Sequence, residues 1–472
     1  MKNSVVRNIS SWSLPDLIDL PSKVIIYFLL VDLLDKKTFG MLNLAMMIFS
    51  YHALTQFGVV DWLMYELPKK FTEKRDTKPV LRDSYYFSLI NQLVLFSFVF
   101  CGLLVFDHDF FLGMAIPAYM AHTLLYNAYL HKTLFLRYRY EFKKLLRLRV
   151  LFVIVRFVLE ASSILLVGIY GYLVIEAIIV LLPIFLLRKD IAFSYRPSIS
   201  LEKYKSLALK GAPFFVVILM SITLGNLDRW FIVYVYGLEQ FAVYSLGVFV
   251  VTAILIFPGK VLSIFTQYLK EMFVTVHDRD SNIAIGFSVN NVLLVILLLV
   301  LSLGSVFESL VSQYLPKYGE VILLINALIL FTAMKYSISL TSNILYLLDR
   351  RADVAKIQIV TVALYTAMLS AIYWLDYGIL NAIWGINLVS LVQISINLLL
   401  IILIMKFKIH LEMFKFFILI LAGFSYYFSK DFSSFEVPWS SYIMLLVLVY
   451  AYKYKCAWKN LVYLSTKAFE LK

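Results

Sequence analysis

The chain has 472 residues, 62% of them hydrophobic, a mean hydropathy of +0.84 and a formal net charge of +13. Soluble domains carry about 45 to 50% apolar residues, so these values exclude a soluble globular protein and imply an integral membrane protein. The two cysteines, Cys101 and Cys456, lie far apart with no CxxC or other metal-ligand spacing, which excludes a disulfide framework and a structural zinc site.

The opening stretch MKNSVVRNISSWSLPDL has no compact apolar core followed by a small-residue cleavage site, so it is expected to be retained rather than removed as a signal peptide. Apolar segments long enough to cross a hydrocarbon core of ~30 Å are centred near residues 22, 51, 93, 121, 158, 178, 225, 251, 293, 332, 364, 392, 421 and 445. The expected fold is therefore all-α and polytopic, with about fourteen transmembrane helices of roughly 20 residues each. At GIYGYL, residues 168–173, either one long span or two short ones fits.

Lysine and arginine fix the expected orientation. Taken alternately, one set of connections holds Lys69, Lys70, Lys74, Arg75, Lys78 and Arg82, then Lys132 to Arg149, Arg188 to Lys210, Lys270 and Arg279, Arg350 to Lys356, and Lys406 to Lys415. The opposite connections hold only Lys36, Lys37, Lys317 and Lys430, and several of them (FDHDFF, WLDYG, FSSFEV) are acidic. By the positive-inside rule the basic side, with both termini, is cytoplasmic. The positive charge is thus explained by topology, and no nucleic-acid partner is expected.

Five cations remain inside the spans: Lys23, Arg156, Arg229, Lys260 and Lys335. At roughly 2.5 to 3.5 kcal/mol each near the bilayer centre, left unsheltered they would cost on the order of 12 to 17 kcal/mol. They must face water or partners. Lys23 follows Asp16 and Asp19 in PDLIDLPSK, and Arg156 and Glu160 stand at i and i+4, so both cations have a local ion pair as the plain alternative to a functional role. Lys260 sits near a cytoplasmic end and can snorkel. Lys335, in TAMKYSISL, has no acid within reach on its own helix, and adjacent Asp228 and Arg229 point about 100° apart on theirs. Uncharged polar residues also fall inside spans, among them His52, Gln56, His122, Asn127, Asn387, Gln393 and Asn397. Each singly fits a helix-to-helix hydrogen bond; together they imply a polar, cation-lined cavity. The histidines have no metal-ligand spacing, so no metal is expected.

Internal similarity points to duplication. FGMLNLAMMIF (39–49) resembles FAVYSLGVFVV (241–251), offset by 202, and YGYLVIEAIIV (170–180) resembles YGILNAIWGIN (377–387), offset by 207. The expected organisation is two pseudo-symmetric six-helix bundles, residues 1–190 and 191–407, followed by two extra helices and a basic cytoplasmic tail in 408–472. Six is even, so the halves would share one orientation as parallel repeats.

The segment KGAPFFVVILMSITLGNLDRWFIVYVYGLEQFAVYSL (210–246) carries Gly211 and Pro213 at its start, the Asp228-Arg229 pair, and Gly237, Phe241, Tyr244 and Ser245 in a following turn. It resembles the corresponding segment of the polysaccharide-repeat-unit exporters (Wzx type) of the multidrug/oligosaccharidyl-lipid/polysaccharide superfamily. A looser likeness runs from FGMLNL and QFGVVDWLMYELPKK (56–70) to the last helix, and Ala242 departs from a position where the family often has Gly. The resemblance implies a flippase of the bacterial inner membrane that moves an undecaprenyl-pyrophosphate-linked oligosaccharide to the periplasmic leaflet by alternating access, for surface polysaccharide such as O-antigen. Polymerase and chain-length proteins of the same pathway would be its partners. Lys23, Arg229, Lys335 and Arg156 would bind the diphosphate headgroup; Asp228, Glu160 and Asp19 would orient them or couple an ion.

The chain has no GxxxxGK[ST] phosphate loop, since Gly259-Lys260 lacks both the earlier glycine and the following Ser or Thr. It also has no nucleophile-plus-base arrangement, so neither an enzyme nor a cofactor is expected. Alternatives are a lipid II flippase, a drug or cation antiporter of the same superfamily, whose cavity should be acidic, and, more distantly, a repeat-unit polymerase, which would need a long outward loop.

Overall fold

A computed structural model of the chain describes residues 2–72, 77–105, 109–138, 141–187, 200–275, 312–348 and 350–405. The segments expected near 293, 421 and 445 lie outside them. Among the described residues every long regular element is a helix: α1 Lys2–Leu33, α2 Lys36–Ser50, α3 Val59–Thr72, α4 Lys78–Val105, α5 Phe110–Tyr138, α6 Phe142–Val167, α7 Ile169–Ile178, α8 Leu181–Leu186, α9 Leu201–Thr275, α10 Val321–Leu347, α11 Arg351–Trp374 and α12 Ile379–Met405. Seven segments of these helices are long and apolar enough to cross a membrane, which makes the protein a multi-pass membrane protein.

Three breaks shape the helices. The span expected around residue 51 is discontinuous: a 3₁₀ turn, Tyr51–Gln56, follows α2, and then Phe57 (φ 47°) and Gly58 (φ 70°) both adopt left-handed backbone before α3 begins. At Gly168 (φ 78°) the chain ends α6 and starts α7, so two helices, not one, occupy GIYGYL. At Gly237 (φ 81°) α9 is interrupted between its two limbs. Glycine carries a positive φ without a Cβ penalty; Phe57 does not, and its conformation marks local strain.

The chain divides into two compact units, Arg7–Asn226 and Met1–Val6 with Leu227–Lys472. In the first unit α5 is central and is packed by α2, α4, α6, α7 and α8. In the second, α10 packs chiefly on α12, which also carries α11. Most of α10 is buried, as expected of a helix that is apolar on all sides.

The similar segments occupy matching places. Residues 39–49, expected at a connection, lie within α2, and 241–251 lie just beyond the Gly237 break; Phe39, Leu42 and Ala45 are buried, as are Phe241, Tyr244 and Gly247, their counterparts at an offset of 202. Tyr170 is the second residue of α7, and Tyr377 lies two residues before α12.

Candidate functional site

In the first unit, the cations expected in the membrane are met by carboxylates. Arg156 on α6 donates from Nε to Glu160 Oε1 at 2.6 Å and from Nη2 to Glu176 Oε2, on α7, at 3.2 Å. His122 on α5 donates from Nδ1 to the Glu176 carbonyl oxygen at 2.8 Å, and the same nitrogen lies 3.4 Å from Oε1. The Arg156 side chain is 22% exposed, Glu160 4% and Glu176 8%. One guanidinium faces two carboxylates in this group. The return of the chain at Gly168 makes this possible, and Gly171 lets it close: a Cβ there would lie 2.8 Å from the Ser163 carbonyl oxygen. Lys23 pairs with Asp19 at 2.5 Å, is 46% exposed, and remains within electrostatic range of Glu176.

Glu176 was not singled out by the sequence reading, and His122 appeared there only as one of many polar residues in spans. The available signal was a carboxylate in the apolar run YGYLVIEAIIV with no basic residue at i±3 or i±4 on its own helix.

In the second unit the basic side chains outnumber the carboxylates among the described residues. Asp228 on the first limb of α9 is buried, and its Oδ2 accepts a hydrogen bond from the Tyr244 hydroxyl on the second limb. Among the described residues its Oδ1 has no hydrogen-bond partner. Lys335 on α10 lies within electrostatic range of Asp228 and Arg229, and its Nζ sits 4.0 Å from the centroid of the Phe331 ring, a cation–π contact. Tyr365 on α11, hydrogen-bonded to Ser390 on α12, is also in the field of Asp228. Among the described residues no carboxylate lies within 4 Å of Arg229 or Lys335. Among the described residues two basic side chains stand beside one carboxylate here.

Elsewhere in this unit, helix-to-helix bonds tie α12 to α10. Asn387 Nδ2 donates to the Ala327 carbonyl oxygen at 3.0 Å, and Asn397 Nδ2 donates to Thr341 Oγ1 at 2.9 Å. Asn387 Oδ1, Gln393 Nε2 and Asn397 Oδ1 are buried without a partner among the described residues. Orphaned polar atoms of this kind call for water or a ligand. Of the four expected headgroup cations, then, Arg229 and Lys335 come together in one unit. Lys23 and Arg156 come together in the other, each with acidic neighbours. Among the described residues no group of three His, Cys, Asp or Glu side chains could hold a metal ion.

No family model and no curated protein matches the chain. Solved structures do. A multidrug resistance MATE family transporter of the MOP superfamily, in an inward-facing conformation, is 13% identical, with a TM-score of 0.63 over 85% of this chain and 99% of that one. A MOP superfamily transporter from Pyrococcus furiosus, described by a binding pocket of reverse polarity that suggests a different function, is 13% identical, with a TM-score of 0.57 over 83% and 93%. A MATE transporter in complex with MaL6 is 14% identical, with a TM-score of 0.57 over 83% and 94%. The fold is that of the MATE transporters.

Proposed function

We propose that the chain is a flippase for a lipid-linked oligosaccharide diphosphate, worked by alternating access in the bacterial inner membrane. The observation that carries this reading is the group of Arg229, Lys335 and Asp228. Two cations in a membrane-spanning unit, with no carboxylate within 4 Å of either among the described residues, are costly unless an anion or water compensates them. A diphosphate head crossing the bilayer is an anion that needs such compensation, while its polyprenyl tail stays in lipid. The fold supports transport in general, and the pocket of reverse polarity in the Pyrococcus furiosus protein is a precedent for one fold carrying cavities of different sign.

In this reading Arg229 and Lys335 attract the headgroup, and Asp228 orients Arg229 or links it to a coupling ion; Lys23, in the other unit and paired with Asp19, is a further headgroup candidate. Arg156 contributes only as part of its group with Glu160 and Glu176. That group, in which two carboxylates face one guanidinium, favours a second reading, in which a cation is the cargo or the coupling ion. The Wzx-like resemblance points to a surface-polysaccharide repeat unit as substrate, with pathway polymerase and chain-length proteins as partners.

The test is genetic. Arg229→Gln and Lys335→Gln should each abolish surface polysaccharide in the native host while leaving protein abundance in the membrane unchanged. Unaltered polysaccharide in both would remove the headgroup role; loss of drug or cation resistance instead would favour the second reading.

A further inference from the structure

Along one face of α4 stand Ser84, Ser88 and Gln92, and along one face of α5 stand Thr123, Asn127 and His131, each set at steps of four residues. None of the six belongs to either charged group. The two helices pack on each other within one compact unit, and two bonds fix their register. Ser84 Oγ lies 3.2 Å from His131 Nε2, and Gln92 Nε2 donates to the Thr123 carbonyl oxygen at 3.5 Å. A step forward on α4 is therefore a step back on α5, and halfway between the two bonds Ser88 is set opposite Asn127. One turn beyond these rungs at the basic end, Leu81 and Leu134 lie in one buried apolar cluster. One turn beyond them at the other end, Phe96 and Tyr119 both pack against the Phe49 ring, with centroids 6.2 and 5.7 Å away.

The outer rungs close and the middle one does not. Each closed rung joins a short group to a long one: a serine to an imidazole, a backbone carbonyl to a glutamine. Serine and asparagine are both short, and across helix axes about 8 to 10 Å apart they leave their polar atoms unmet. Ser88 and Gln92 are 0% exposed and Asn127 1%, yet Ser88 Oγ, Gln92 Oε1 and both amide atoms of Asn127 have no hydrogen-bond partner among the described residues. Their neighbours are already engaged. The Thr123 hydroxyl is turned back to the Met120 carbonyl at 3.0 Å, and His131 Nδ1 donates to the Asn127 carbonyl at 2.9 Å. A helical carbonyl points towards the C-terminus, so the Thr123 oxygen that holds Gln92 faces the level of Asn127. The orphaned atoms thus gather within the roughly 12 Å of helix that separates the closed rungs.

Buried polar atoms in a membrane-spanning unit need partners, because no bulk water reaches them there. The set is mixed in character: a cation would meet the Asn127 N–H groups and an anion the two amide oxygens, whereas water donates and accepts at once. Buried waters make about three hydrogen bonds, and Asn127 Nδ2, Gln92 Oε1 and Ser88 Oγ supply that number. We propose that the α4–α5 seam is a closed polar compartment that binds water between Ser88, Gln92 and Asn127, sealed by Leu81 with Leu134 at one end and by Phe96 with Tyr119 at the other. The bound water bridges the helices where their side chains do not meet. The proposal rests on the packing of this unit alone and not on the transport reading.

The experiment uses the full chain in lipid nanodiscs, exposed to a brief X-ray pulse that makes hydroxyl radicals from water in place, with oxidation read by mass spectrometry. A radical formed from trapped water oxidises the side chains beside it. His131, 0% exposed, should be oxidised at least tenfold faster than Phe87, which is 1% exposed one residue from Ser88 but packs in the apolar cluster of Val59 and Leu207. In the triple variant Ser88→Ala, Gln92→Leu and Asn127→Leu, which replaces every orphaned polar atom with an apolar one, oxidation at His131 should fall to within twofold of Phe87 while that at exposed Phe98 stays unchanged. A His131 rate within twofold of Phe87 in the unaltered protein shows a dry seam and overturns the proposal. So does a His131 rate that the triple variant leaves unchanged, since the water it reports would then lie elsewhere. The first comparison needs no variant and decides the proposal by itself if the triple variant fails to fold.

Discussion

Arg156 shows how far a local pattern carries and where it stops. Its pairing with Glu160 follows from the i and i+4 spacing alone, and the structure has that bond at 2.6 Å. The second carboxylate, Glu176, arrives from 20 residues downstream across the Gly168 break, a separation that no helical spacing encodes. Removing one partner of a buried ionic group leaves the others uncompensated and costs about 3 to 5 kcal/mol. Arg156→Gln should therefore reduce thermal stability sharply in detergent, and adding Glu160→Gln and Glu176→Gln to it should restore most of the loss, as measured by fluorescence-detected unfolding. A triple variant no more stable than the single would show that the charges are not what holds α6 to α7. On the other side of the charge balance, Tyr244 is the sole hydrogen-bond donor to Asp228 among the described residues. Tyr244→Phe leaves both carboxylate oxygens orphaned and should cost about 1 to 3 kcal/mol, against almost nothing for Tyr234→Phe on the exposed surface of the same helix. Equal losses in the two variants would remove the special place given to that bond.

The helices themselves were largely legible, and their interruptions only in part. Long apolar runs announce α4, α5, α6, α10, α11 and α12 because a span must satisfy its backbone within itself. Gly237 lies in a turn motif, and the structure breaks α9 there. The break at Phe57 and Gly58 was hidden: the surrounding residues are apolar enough to read as one continuous span, and a left-handed aromatic residue has no compositional signature. The ambiguity at GIYGYL resolves into two helices because Gly168 carries positive φ and Gly171 permits α7 to fold against Ser163 and Val167. Gly171→Val should force these elements apart, move Glu176 away from Arg156 and lower stability by more than Gly102→Val, since a Cβ at Gly102 meets nothing within 4 Å. Equal effects at both glycines would show that the approach at Gly171 is not needed.

For the molecule as a whole, composition established the membrane, and the likeness to MATE transporters agrees with a helical transporter fold at 13 to 14% identity. Such low identity transmits architecture and little chemistry, which is why the substrate has to be argued from side chains. The orientation is an expectation from charge alone: reporters fused after Arg75 and Lys203 should read cytoplasmic, and one after Asp109 periplasmic. Any reversal would overturn the assigned topology and, with it, the direction of transport. The contrast between the two groups, carboxylates in excess around Arg156 and basic side chains in excess around Arg229, could not be read from sequence. It depends on Glu176 joining one group and, among the described residues, on no carboxylate other than Asp228 joining the other.

The proposed function stands or falls on whether Arg229 and Lys335 receive a diphosphate. Purified protein should bind a soluble short-chain polyprenyl diphosphate disaccharide, measured by titration at fixed low salt, and Arg229→Gln and Lys335→Gln should each weaken that binding at least tenfold while the corresponding monophosphate binds less tightly to the unaltered protein. Undiminished affinity in both variants, with folding intact, would contradict it.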